Sequence, residues 1–170
     1  KYGQEFSYAV GKQLITAFGK LNKVEDKGLR INLQRNLIII NSEVANLDMS
    51  KISIEMLQSG DTVTKYWAVK GLTSKEFVEK INDRMQINPE IERAVTSVLA
   101  AEAKGNCAEE TLRLIFGYAA DIKSATAGQL FNDIIDMRIA GYKNWTVKYV
   151  FMDEFVLRKM SEKILAMPTG

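Results

Sequence analysis

Two stretches of the chain combine rings with cations at short spacing. One is Lys65, Tyr66, Trp67 and Lys70; the other is Tyr142, Lys143, Trp145, Lys148 and Tyr149. Aromatic side chains interleaved with bases are the chemistry of single-stranded nucleic-acid binding, in which bases stack on rings and ammonium groups hold phosphates. On a helix, however, Lys65 and Lys70 stand roughly 140° apart, so they make no common stripe. The run Tyr66 to Val69 is apolar around nearly the whole turn, which is the pattern of a helix packed on most sides. The second stretch is the better candidate for a nucleic-acid patch, with a helix start expected near Asn144 leaving it exposed. Asn144 opens an Asn-Trp-Thr sequon; a helix-capping role suits it better than glycosylation.

Other reactive groups are sparse. The chain has no histidine, which removes histidine-activated nucleophiles and the common histidine-containing zinc sites. The single cysteine, Cys107, has no partner for an internal disulfide, so a reducing, intracellular setting is expected. Glu109 and Glu110 are adjacent and suit a helix N-terminus; Asp133 and Asp136 share a face without a third ligand. No glycine loop for phosphate is present, and no cofactor, metal site or catalytic residue is expected. The net charge is +2, with 13 basic and 10 acidic residues in the first half and 10 and 11 in the second. A dedicated phosphate binder carries a stronger clustered excess. No apolar run approaches the roughly 20 residues of a membrane helix.

These residues must be positioned by helices. Apolar residues recur three and four apart almost throughout: Phe6, Ala9, Val10, Ile15 and Phe18; Phe77, Val78 and Ile81; Phe151, Phe155, Met160 and Leu165. Ile38 to Ile40 is the best strand candidate, inside a longer helical pattern. Thr73 to Glu76 has capping-box spacing, and Asn88-Pro89-Glu90 reads as cap, first helical residue and first-turn acid. Gly105 and Gly141 are expected stops, and methionines such as Met56, Met85, Met137 and Met160 read as core filler. The expected product is one all-helical domain over residues 1–170, with short links that force neighbouring helices antiparallel. The abrupt ends read as a processed chain or a piece of a longer protein.

A spacing recurs along these helices. Asp61 is followed by Thr64, Lys65, Ala68 and Leu72; Asp26 by Leu29, Arg30, Leu33 and Leu37; Asn88 by Ile91, Glu92, Val95 and Leu99. Weaker copies begin at Ala119 and at Asn144, and "EETLRLIFGYAA" from Glu109 fits about as well as the copy at Ala119. The starts lie 35, 27, 31 and 25 residues apart, the range of a two-helix repeat. The pattern resembles the second-helix signature of HEAT repeats, roughly Asp-Pro-x-Val-Arg-x-x-Ala-x-x-Ala-Leu. "DTVTKYWAVKGL" matches it at Asp61, Lys65, Ala68 and Leu72 and departs at Thr64 and Gly71. "NPEIERAVTSVL" keeps Pro89 but carries Glu92 where a base belongs. The resemblance implies an all-α, right-handed solenoid of antiparallel helix pairs that acts as a non-catalytic scaffold for other proteins. Arg35, Lys70 and Lys148 are then the candidate partner-binding residues. A non-repetitive helical bundle is the alternative fold. A nucleocapsid- or chromatin-type module, using Tyr142, Lys143, Trp145, Lys148 and Tyr149, is the alternative function.

Overall fold

Side-chain caps explain where four of the α-helices begin. In the computed structural model, which describes residues 2–166, Asp26 accepts from the Leu29 N–H and starts α2 (Lys27–Val44), behind α1 (Tyr2–Leu21). A short 3-10 turn, Leu47–Met49, leads into α3 (Ser50–Ser59). Asp61 accepts from the N–H groups of Val63 and Thr64 and starts α4 (Thr62–Leu72). Ser74 caps α5 (Lys75–Arg84), and Pro89 opens α6 (Pro89–Lys104). Then follow α7 (Glu109–Asp121), α8 (Ala125–Lys143) and α9 (Met152–Leu165). The described residues hold no strand; Ile38 to Ile40, the strand candidate, lie within α2. The chain divides into two compact units, 1–98 and 99–170, with the boundary inside α6.

In the first unit, α2 packs on α1 and α4, and α3 packs on α4. Ser7, near the start of α1, donates to the carbonyl of Val44 at the end of α2 (3.0 Å), so these two helices are antiparallel. Arg35 meets Asp61 at 3.2 Å and Lys70 meets Glu43 at 3.4 Å. Both sequence numbers rise together across these contacts, so α2 and α4 run parallel. Near their ends the backbones come very close. A Cβ on Gly71 would lie 3.1 Å from the Ser42 Cα, which is why the small residue stands where the HEAT signature has alanine.

The traced stripe on α4 is real packing: Thr64, Ala68 and Leu72 are all buried. Ile81, Phe77 and Val78 are likewise the buried face of α5, and Val95 and Leu99 of α6. On α2 the stripe differs. Leu29 is 52% exposed, and the buried residues are Ile38, Asn41 and Ser42. The cause is a stagger. The cap of α4 lies beside Arg35, about 13 Å along α2 from its own cap at Asp26. The helices are level at their C-terminal ends, and the first turns of α2 project past α4. Thr73 does not cap α5; its hydroxyl turns back to the Val69 carbonyl (2.8 Å), and Ser74 takes the cap.

In the second unit, α7 packs on α8 and α9. A three-residue link whose Ser124 caps α8 turns the chain back between the first two. Lys159 pairs with Asp121 at 3.0 Å, and Arg113 lies 5.2 Å from the ring of Phe155. These contacts again rise together, so α7 and α9 run parallel. Phe116 stacks on Phe131 at 4.6 Å and meets Phe155 edge-on at 6.2 Å. Two of the weaker copies fail here. The one from Ala119 crosses the link between α7 and α8, whereas the competing frame from Glu109 coincides with α7. The one from Asn144 falls in a loop, because Asn144 ends α8 instead of starting a helix. Nor is Gly105 a left-handed stop, since no glycine among the described residues has positive φ, and α8 passes through Gly141 to Lys143.

Candidate functional site

The turn after α8 is built from a helix ending of unusual composition. The Trp145 N–H donates to the Tyr142 carbonyl (3.3 Å) and the Thr146 N–H to the Gly141 carbonyl (2.8 Å). Those two bonds make a Schellman motif, with Asn144 as the cap residue and Trp145 in the left-handed position after it. That position normally belongs to glycine. Trp145 occupies it with φ 57° and is 94% exposed. Tyr149 is left-handed as well, at φ 56°. A bulky residue in this region carries of order 1–2 kcal/mol of backbone strain.

The Tyr149 end of the loop is held by Arg138, a buried cation on the core stripe Ala127, Leu130, Phe131, Ile134 and Arg138 of α8. Its guanidinium donates to the Asp153 carboxylate, and at 3.1 Å to each of the carbonyls of Lys148 and Tyr149. It therefore binds the loop backbone directly. Partial desolvation pushes the Asp153 carboxyl up, but hydrogen bonds from Arg138 and from the Tyr142 hydroxyl outweigh it and hold the group below the usual carboxylate range. Around the loop, Phe151 is 85% exposed, Val150 57% and Tyr142 48%.

The residues expected from the sequence fare unequally. Trp145 is fully displayed, and Lys143 is exposed beside it. The Tyr142 hydroxyl is engaged by Asp153, and the Tyr149 hydroxyl donates to the Cys107 carbonyl (3.0 Å). Lys148 donates to the Asn106 side-chain oxygen at 2.9 Å. In the first unit, Arg35 is taken up by Asp61, and Lys70 by Glu43 and the Trp67 ring, 4.4 Å from its ammonium. Trp67 and Tyr66 are half-buried and meet edge-on at 5.6 Å, so the packing expected there is partial. Arg138 and Phe151 were missed. The signal for Arg138 was available: a cation four residues beyond Ile134, on a stripe of apolar residues, is placed to be buried.

Behind the loop lies a cavity of about 340 Å³, walled by residues of α6, α7, α8 and the loop itself. Cys107 borders it and is buried; desolvation, reinforced by Glu102, pushes its thiol up. Met137 lines the same space and is 39% exposed, so it is not the core filler its spacing indicated. Among the described residues no three histidine, cysteine or carboxylate side chains cluster to hold a metal, and no helix is long and apolar enough to cross a membrane. Asp133 accepts from Gln129 at 2.7 Å and pairs with Lys104 at 3.3 Å. No protein-family model, no curated protein and no solved structure matches the chain.

Proposed function

We propose that the chain is a non-catalytic scaffold of HEAT-like helix pairs that docks other proteins through the Trp145–Phe151 loop. The observation that carries this reading is Trp145 itself: a tryptophan at a glycine position, strained and turned to solvent. Strain persists where surrounding structure over-determines it, and it concentrates at functional sites. Tryptophan is enriched among the energetic anchors of protein interfaces. The parallel pairs α2/α4 and α7/α9 support the repeat architecture, since stacked second helices of successive pairs run parallel. The loop thereby replaces Arg35 and Lys70 as the favoured contact surface, because both cations already serve helix contacts. The thiol of Cys107 is buried with its pKa raised, the opposite of what a nucleophile needs.

The experiment places a photo-crosslinking amino acid at position 145, with position 67 as control, and irradiates the chain in its source cells. A discrete protein adduct from position 145 and none from position 67 is the expected result. Filter binding of single-stranded DNA and RNA across salt forms the second arm. Steeply salt-dependent binding that Trp145→Ala removes would replace this reading with the nucleic-acid one.

A further inference from the structure

We infer that the cavity behind the loop is a receiving pocket for one large apolar side chain of an acidic partner peptide; this rests on the docking reading above. Its walls are apolar where Leu112, Met137, Ala140 and Val147 face it. Its volume, about 340 Å³, falls in the range of pockets that hold a compact ligand. Both charged side chains in its lining are cations, while the carboxylates of Asp153 and Glu102 act on lining residues from outside it. Arg138 and Lys148 line it, and among the described residues no aspartate or glutamate does. The Arg138 charge is answered by Asp153, which lies outside the lining. Among the described residues Lys148 meets the neutral side-chain oxygen of Asn106, at 2.9 Å, and no carboxylate, so its ammonium is an uncompensated cation at the exposed edge.

The occupant follows from those walls and that charge. Apolar walls select a leucine or aromatic side chain, and the Lys148 ammonium selects a carboxylate beside it. A peptide, as opposed to a free small acid, is indicated by continuity. Asn144, Thr146 and Val147 line the cavity, while Trp145, in the same turn, faces outward. A chain lying against Trp145 therefore passes the cavity edge.

Cys107 is the only cysteine and borders the cavity, so its alkylation rate reports occupancy. The probes are blocked pentapeptides with central tryptophan or leucine between pairs of glutamates. The controls have a central alanine, or lysines in place of the glutamates. Saturating glutamate peptide with a large centre should slow Cys107 modification by N-ethylmaleimide about tenfold, and Lys148→Ala should weaken its binding about tenfold. The alanine-centred and lysine-flanked peptides should give no protection. Ala140→Leu, which narrows the cavity without touching Lys148, should also abolish protection, with circular dichroism confirming that both variants fold. No protection by any peptide, or equal protection by the lysine-flanked ones, overturns the inference. If position 145 still crosslinks to a protein in that case, the docking reading stands and the pocket alone is lost. If that crosslink is absent too, both fall.

Discussion

Trp67-Ala-Val-Lys70 and Trp145-Thr-Val-Lys148 are nearly the same words in the sequence, yet they become opposite objects. In α4 the three-residue spacing brings Lys70 over the Trp67 ring, and Glu43 of α2 fixes the lysine from the other side. After α8 the same spacing is unwound. Trp145 turns out at positive φ, while Lys148 turns back to Asn106. The difference arises from what precedes each tryptophan. Asp61 starts a helix a turn and a half before Trp67; Asn144 ends one immediately before Trp145. A helix consumes an aromatic–lysine pair internally, and a helix ending displays it.

The largest effect should come from removing what holds the displayed version. Arg138→Ala strips a buried cation from Asp153 and two carbonyls, and we expect a loss of about 3 kcal/mol in urea unfolding. A loss below about 0.5 kcal/mol would show that the loop holds itself. Next comes Asp61→Ala, which removes the cap of α4 and the partner of Arg35 together, with an expected loss of about 1 kcal/mol. The Asp61 carboxyl is pushed up by desolvation but held lower on balance by bonds from the Thr64 hydroxyl, the Thr64 and Val63 N–H groups and Arg35. Its folded pKa therefore lies below the ordinary 3.8. Its contribution is present above that value and is lost as the pH falls through the folded pKa. Wild type and Asp61→Ala should thus converge in stability as acid is added below 3.8. A gap that stays constant down to the acid transition would remove the carboxylate from the account.

Two smaller changes test the tryptophans themselves. Trp145→Gly should stabilise the fold by about 1 kcal/mol, because glycine relieves the left-handed strain, while abolishing the position-145 docking. Thermal melting decides it, and destabilisation would mean that the ring packs on something. Lys70→Ala should cost about 0.5 kcal/mol, the sum of a half-exposed cation–π contact and a half-exposed ion pair. Raising salt should erase much of that difference.

What the sequence disclosed follows the range of the interaction concerned. Asp61, Asp26 and Pro89 act within one turn, and each was legible as a helix start. The buried stripe of α4 was legible for the same reason. The stripe on α2 was misplaced because its burial depends on a stagger against a helix some 30 residues away. Asn144 was misread because asparagine suits both ends of a helix: a side-chain acceptor at the start, and a tolerated turn residue at the end. Which end it serves was settled by Thr146 and Gly141, whose bond no periodicity reveals. The site was half legible. Its composition singled out Trp145, but the long-range holds on Tyr142, Lys148 and Tyr149, and the burial of Arg138, only appear in three dimensions.

Asp61 couples two helices. Its carboxylate begins α4 with one set of contacts and grips α2 through Arg35 with another. The start of a helix and its grip on a neighbour are ordinarily separate contributions to stability. One carboxylate serving both roles ties those quantities together. α2 and α4 each favour the ordering of the other through it, so cap and neighbour substitutions should prove non-additive when combined.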